Sequence, residues 1–288
     1  MVVFECAACG AALTVALTRV AMPDHANFQV GNGYMELPAL LSPGTYATGD
    51  GRIAIAPGDV REVSWIPDQL GDGCCGLGDS DRPNLACACG RQVATRIDDC
   101  SQWQVVWLER EAVRLAGGPE PVAAWETFDW ESVPLPGPDR WWQVHAELAA
   151  GKALAHILVA SGGVRVTVPD GPVADTFRRR LDEMLTGPLS KSLAPAGPGL
   201  HSKADILLVP RHPQTGEPWP ADGTLVPISA ELWTWLVRYD DQPVIPATGG
   251  RWQSYLADDP LPTRPKGVEP NLWAIRDTLS RLQTPRMT

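Results

Sequence analysis

Cys6-Ala7-Ala8-Cys9-Gly10 is the stretch that decides how the first part of this chain folds, and Cys87-Ala88-Cys89-Gly90 repeats it with one residue fewer between the cysteines. Zn²⁺ prefers four thiolate or imidazole ligands in a tetrahedron, and two tight turns between strands can each supply two of them. A glycine directly after the second cysteine suits such a turn, because glycine adopts sharply turned backbone without steric cost. Together the two motifs predict one metal site.

The two cysteine motifs and the strands expected around them resemble zinc ribbons. The resemblance implies that Cys6, Cys9, Cys87 and Cys89 bind one zinc ion within a β-rich fold. The second motif departs from the ribbon pattern because only one residue separates its cysteines, so the fourth ligand is either Cys87 or a residue such as Cys75. Four cysteine ligands close the coordination sphere and leave no position for water, which favours a structural zinc over a catalytic one.

Three further cysteines accompany the two motifs: Cys74 and Cys75 in a glycine-rich loop, and Cys100 beyond the second motif. The adjacent pair has two interpretations, an exposed redox-sensing thiol or a small buried residue beside one spare metal ligand. We favour the second interpretation and expect Cys100 in the core. The odd total of seven cysteines is more typical of reduced thiols than of a secreted disulfide framework. Because no targeting segment or membrane span is visible, we predict a cytoplasmic protein.

Turn residues and apolar periodicity together predict an α+β protein. We expect a β-rich, zinc-ribbon-like domain over residues 1–118, a proline-rich connection over 119–138 and a mixed α/β domain over 139–288. Strands are expected, among others, at 13–20, 92–97, 104–108 and 204–210. Helices are expected at 140–160, 173–186, 227–239 and 270–283, and Ser229 is the candidate cap of the third.

Charge argues against nucleic acid as the general partner of this chain. The formal net charge is -10, whereas binding to a phosphate backbone requires a basic excess. The basic triplet Arg178-Arg179-Arg180 lies in a predicted helix next to acidic residues, which is typical of a solvated helix face. Nucleic-acid binding through the zinc module, as in some ribbons, remains an alternative.

Tryptophan is unusually frequent: the chain has twelve, against four phenylalanines and four tyrosines. Those that follow residue 118 are Trp125, Trp130, Trp141, Trp142, Trp219, Trp233, Trp235, Trp252 and Trp273. Indole combines a large apolar body with one N–H donor, and protein interfaces are enriched in it. Our leading hypothesis is therefore a non-enzymatic protein that binds a protein partner through a tryptophan-rich surface. The alternative is that these side chains fill cores or clamp proline-rich loops.

An enzyme is the remaining hypothesis, with its site in a pocket of the C-terminal half near His201, Asp205 and His212. These residues bracket the strand predicted at 204–210, and functional groups often lie where a strand meets a loop. Proximity in sequence says nothing about geometry, however, and the chain lacks the spacings of a nucleophile elbow or a phosphate-binding loop. We therefore favour a non-enzymatic function.

Overall fold

The computed structural model describes residues 1–28, 37–49, 51–71, 73, 76–78, 82–118, 120–133, 140–238, 245–246, 262–263 and 267–283. The chain divides into two compact units. Unit 1 comprises Met1–Ala123 and Pro213–Gly216, and unit 2 comprises Ala124–His212 and Glu217–Thr288. The proline-rich connection predicted at 119–138 lies partly outside the described residues. Several sheets combined with α-helices confirm the predicted α+β class.

Unit 1 consists of short strands arranged in two sheets. In chain order the strands are β1 Val3–Cys6, β2 Thr18–Arg19, β3 Thr45–Gly49, β4 Arg52–Ile55, β5 Val63–Trp65, β6 Leu85–Cys87, β7 Gln92–Ile97, β8 Val105–Glu109 and β9 Val113–Ala116. β1 and β9 form an antiparallel two-stranded ribbon, and the other strands form a seven-stranded sheet in the order β2-β3-β4-β8-β7-β6-β5. Neighbouring strands of that sheet are antiparallel except for β2 and β3.

The main core of unit 1 combines residues of the ribbon with residues of the seven-stranded sheet. In the sheet, Ile55 lies opposite Val106, and both side chains are buried, as alternation along half-buried strands requires. They belong to one apolar cluster with Phe4 of the ribbon. Cys6 and Cys87 are buried members of the same cluster. The cysteine turns therefore begin inside the core of this unit.

Unit 2 combines helices with a parallel sheet. Its helices are α1 Arg140–Ser161, α2 Pro172–Met184, α3 Ala230–Val237 and α4 Leu272–Gln283, and its further strands are β10 Arg165–Thr167, β11 Ser190–Pro195, β12 Ile206–Pro210, β13 Thr224–Ile228, β14 Ile245–Pro246 and β15 Pro262–Thr263. β10, β11, β12 and β13 form a parallel sheet in that order. All five residues of β12 are buried, which is typical of a parallel strand covered on both faces.

The four predicted helices are confirmed as α1 to α4, with shifts of a few residues at their ends. The predicted N-cap is confirmed too, because the Ser229 hydroxyl accepts the backbone N–H of Leu232 at 3.3 Å. The strand predicted at 13–20 is wrong over most of its length: only Thr18–Arg19 forms a strand, and Thr14 and Leu17 make isolated bridges instead. Within the described part of the chain, no helix is long and apolar enough to cross a membrane.

Candidate metal centre

The first cysteine turn, which we call turn 1, spans Cys6 to Gly10 and follows β1. The backbone carbonyl of Cys6 accepts the N–H of Gly10 at 2.9 Å, and the N–H of Cys6 donates to the carbonyl of Ala11 at 2.8 Å. Gly10 has a φ of +79°, a conformation that a side chain would strain. The sequence thus ends turn 1 with the residue that its backbone requires.

The second cysteine turn, turn 2, spans Cys87 to Gly90 and connects β6 to β7. The carbonyl of Cys87 accepts the N–H of Gly90 at 2.8 Å, and the N–H of Cys87 donates to the carbonyl of Arg91 at 2.9 Å. Gly90 has a φ of +87°, so the two turns close in the same way. Because turn 2 has one residue fewer between its cysteines, its closing hydrogen bond joins residues three apart in sequence, whereas that of turn 1 joins residues four apart. The other hydrogen bond is equivalent in the two turns.

The structure brings all four predicted ligands together. The Sγ atoms of Cys6 and Cys89 lie 3.7 Å apart, those of Cys9 and Cys87 lie 3.5 Å apart, and all four lie within 4.8 Å of one another. In a tetrahedron with Zn–S bonds of about 2.3 Å, neighbouring sulfurs are about 3.8 Å apart. The four thiols therefore have the spacing and the chemistry of a site that could hold one metal ion.

Burial differs between the two cysteines of each turn. Cys6 and Cys87, the first cysteine of each turn, are buried, whereas Cys9 and Cys89 are exposed. Each close pair of sulfurs therefore joins a buried residue of one turn to an exposed residue of the other. Because turn 1 belongs to the ribbon and turn 2 to the seven-stranded sheet, an ion bound here would link the two sheets of unit 1.

Ionisation of the thiols is strongly uneven when no cation is bound. Burial raises the pKa of the Cys6 thiol, but the backbone N–H groups of Cys9 and Ala8 and the Cys89 side chain lower it, to about 7. For Cys87, the backbone N–H of Cys89 lowers the pKa, whereas burial and the neighbouring thiols raise it, to about 12. The neighbouring thiols thus favour the thiolate of Cys6 and oppose that of Cys87. A divalent cation bound by the sulfurs would favour the thiolate form of both.

A cation of the protein itself lies beside turn 1. The Arg114 guanidinium reaches to 3.0 Å from the position that a Cβ on Gly10 would occupy. Arg114 lies opposite Glu5 in the β1–β9 ribbon and forms an ion pair with it at 2.9 Å. Sequence reasoning missed Arg114, because only the pairing of β1 with the distant strand β9 brings it beside turn 1.

The other cysteines do not join this cluster as far as the structure describes them. Cys74 and Cys75 lie outside the described residues, so the interpretation of the pair as a spare ligand or a redox sensor stays a prediction. Cys100 is half-buried and not part of the four-cysteine group. Within the described residues, Cys87 therefore completes the group of four.

Two residues of the enzyme hypothesis, Asp205 and His212, lie beyond opposite ends of β12. Asp205 directly precedes β12, where its carboxylate accepts hydrogen bonds from the backbone N–H and the hydroxyl of Ser192 at 2.8 and 2.7 Å. These two bonds hold the pKa of Asp205 below its ordinary value, and the bond from the backbone N–H makes the larger contribution. His212 follows the other end of β12 and is buried. At about 3.3 Å per residue, the strand separates the two residues by about 20 Å. His201 is exposed.

Six side chains of unit 2 form what we call the aromatic cluster: Trp125, Phe128, Trp130, His212, Trp219 and Trp233. Trp125 stacks in parallel on Trp130 with ring centroids 6.0 Å apart, and it meets His212 and Trp219 edge-on at 4.7 and 5.0 Å. Trp233 is buried, whereas Trp125 and Trp219 are half-buried.

The remaining tryptophans of the C-terminal half are distributed differently. Trp235 is buried in α3, and Trp273 on α4 is about half exposed, at 47%. Trp252 and the side chains of Trp141 and Trp142 lie outside the described residues. The described tryptophans of unit 2 therefore divide between core and surface, and binding of a partner through them stays a prediction.

No protein-family model, no curated protein and no solved structure matches this chain.

Proposed function

We propose that this chain is a non-enzymatic, zinc-stabilised protein in which Cys6, Cys9, Cys87 and Cys89 bind one structural Zn²⁺. The observation that carries the proposal is the spacing of the four Sγ atoms, all within 4.8 Å of one another. Soft thiolates select zinc over the hard cations magnesium and calcium. A set of four cysteine ligands leaves no open position for water or substrate, which favours a structural ion, as the resemblance to zinc ribbons implies.

The ion would stabilise unit 1 by linking its two sheets. Turn 1 extends from the ribbon and turn 2 from the seven-stranded sheet, and the two turns are separated by more than 70 residues of chain (Gly10 to Cys87). Metal binding by such distant ligands is coupled to folding, because the site does not exist in the unfolded chain. Zinc would therefore contribute directly to the stability of this unit.

The proposed partner of this zinc-stabilised protein is another protein, bound through the aromatic cluster. Half-buried indoles such as Trp125 and Trp219 keep part of their apolar surface exposed while their rings contact neighbouring rings. Rigid aromatic surface loses little conformational entropy on binding and is common at interfaces. Reduced cysteines fit a cytoplasmic location, which we also propose.

Elemental analysis of the purified protein tests the zinc proposal. We expect one zinc per chain in the wild type, a large loss of zinc in Cys9→Ser, and unchanged zinc in the control Cys100→Ser. Cys9 is the best first choice because it is exposed, so the substitution removes a ligand without leaving a cavity in the core. A wild-type protein without metal, or a Cys9→Ser protein with full zinc content, would contradict the proposal.

Affinity purification from the native host tests whether a protein partner binds through the aromatic cluster. Trp219→Ala is the test variant. Trp65, which is 46% exposed in unit 1, supplies the control Trp65→Ala. We expect one set of proteins to be retained by the wild type and by Trp65→Ala and to be lost with Trp219→Ala, with thermal stability recorded for both variants. Identical recovery with Trp219→Ala would remove the aromatic cluster from the proposed interface.

A further inference from the structure

We infer that the four-cysteine centre is also an oxidation site, at which a peroxide converts the cysteines into two disulfides that join turn 1 to turn 2. The two bonds are Cys6–Cys89 and Cys9–Cys87. Their pattern follows from the positions of the thiols alone, whereas the release of zinc that accompanies them rests on the proposed function.

The four sulfurs combine short distances with differences in exposure. The sulfurs of Cys6 and Cys89 are 3.7 Å apart and those of Cys9 and Cys87 are 3.5 Å apart. In each pair one cysteine is exposed and the other is buried. Each pair therefore offers one sulfur that a small oxidant in solvent can reach, and a second sulfur, shielded from solvent, in contact with the first.

This arrangement fits the two steps of thiol oxidation. In the first step the exposed thiolate attacks peroxide: an S–O bond forms, the O–O bond breaks and hydroxide leaves, which gives a sulfenic acid on Cys9 or Cys89. In the second step the buried partner attacks that sulfur: an S–S bond forms, the S–O bond breaks and a second hydroxide leaves. Solvent protonates both hydroxides to water. Two thiolates thus lose two electrons to one peroxide.

Oxidation of both pairs removes every metal ligand. A disulfide sulfur no longer carries the thiolate charge that binds the ion, so two peroxides per chain would release one zinc. Both new bonds join the ribbon to the seven-stranded sheet, as the ion does. The link between the two sheets would therefore persist in covalent form, whereas a bond within one turn, such as Cys6–Cys9, would lose it.

The experiment is hydrogen peroxide titration of the full-length protein carrying Cys74→Ser and Cys75→Ser, which keeps peptide assignment unambiguous. A chromogenic chelator measures released zinc, and mass spectrometry of the unreduced digest identifies the disulfides. We expect zinc release to be complete at about two peroxides per chain, with Cys6–Cys89 and Cys9–Cys87 as the dominant bonds. Cys100→Ser in the same background is the control and should give the same result.

Single variants assign each bond separately. In Cys9→Ser we expect Cys6–Cys89 alone, and in Cys6→Ser we expect Cys9–Cys87 alone. If Cys6→Ser, at a core position, fails to fold, Cys89→Ser provides the same assignment from an exposed position. Dominant Cys6–Cys9 or Cys87–Cys89 bonds, or sulfinic acids without disulfides, would overturn the inference.

Thermal unfolding separates this inference from the proposed function. The oxidised, zinc-free protein is expected to unfold at a higher temperature than the reduced, chelator-treated protein, because only the former keeps the two sheets linked. A protein that contains no zinc as purified would contradict the proposed function, yet its disulfide map would still decide the oxidation site.

Discussion

Unit 1 and unit 2 are held together in different ways. Unit 2 buries all five residues of β12. Ile206 and Leu208 belong to one extended apolar cluster with the Phe177 ring of α2, and Leu207 and Val209 belong to a second cluster. Unit 1 has strands of two to six residues, and its ribbon meets the larger sheet in a core that includes Cys6 and Cys87. Buried apolar area can sustain unit 2, whereas the proposed zinc would add a second link at the junction of the two sheets in unit 1.

Metal removal should produce the largest difference in stability between the two units. A zinc chelator is expected to lower the free energy of unfolding of unit 1 by more than about 5 kcal/mol, since zinc-finger peptides bind structural zinc with about 10–16 kcal/mol. Hydrogen–deuterium exchange with mass spectrometry should show lost protection in β1, β6 and β7 and retained protection in β12. Equal loss of protection in β12 would show that the two units do not differ in this way.

The reciprocal change is Phe177→Ala in unit 2. Phe177 is fully buried, and removal of a buried aromatic ring typically costs about 3–5 kcal/mol. The expected result is increased exchange in α2 and β12 with unchanged zinc content. Loss of zinc from Phe177→Ala would contradict the separation of the two stabilising mechanisms.

A smaller effect is expected at the end of turn 1. Gly10→Ala places a side chain at a φ of +79° beside the Arg114 guanidinium, and the left-handed conformation alone costs about 1–2 kcal/mol. Gly58→Ala is the matched control, because Gly58 is not among the glycines with positive φ and nothing lies within 4 Å of its Cβ position. Chelator competition should show weaker zinc binding for Gly10→Ala only. Equal zinc affinities for Gly10→Ala and the wild type would show that the backbone conformation at Gly10 does not contribute to zinc binding.

The smallest effect concerns Asp205 of unit 2. Its pKa is lowered in the folded protein by the Ser192 backbone N–H and hydroxyl, so the carboxylate stabilises the fold above its ordinary pKa of 3.8. That contribution is lost as the pH falls through the lower folded value. Asp205→Asn should therefore reduce stability at neutral pH and flatten the acid limb of the stability profile. An acid limb that is equally steep in Asp205→Asn and in the wild type would contradict this assignment.

The sequence indicated the helices and the cysteines well because both signals are local. The 3.6-residue periodicity marks α2, α3 and α4, whereas α1 is apolar on most of its faces. The Cys-Gly motifs carry both the ligands and the glycines that close the turns. The start of the third helix was predicted too early: residues 227 and 228, which we assigned to that helix, belong to β13. Pro227 is tolerated there because β13 ends the sheet formed by the described strands, and a strand at a sheet edge needs fewer backbone N–H donors.

What the sequence did not indicate depends on distant pairing. β11 is largely polar, with Leu193 as its one fully buried residue, and no local pattern marks it as a strand. It becomes a strand because β10 and β12 pair with its backbone on both sides. β9 was missed in the same way, and with it Arg114, since no local pattern announces that this strand pairs with β1. Non-local hydrogen bonding overrides weak local preference in both cases.

X-ray absorption spectroscopy at the zinc edge tests the central claim most directly, because it reports both the identity of the ion and its ligands. For the purified protein we expect four sulfur neighbours at about 2.3 Å and no nitrogen or oxygen in the first shell. In Cys9→Ser the fourth sulfur should be lost or replaced by a lighter ligand. A wild-type protein with no bound zinc, or with zinc bound through nitrogen or oxygen, would contradict the account.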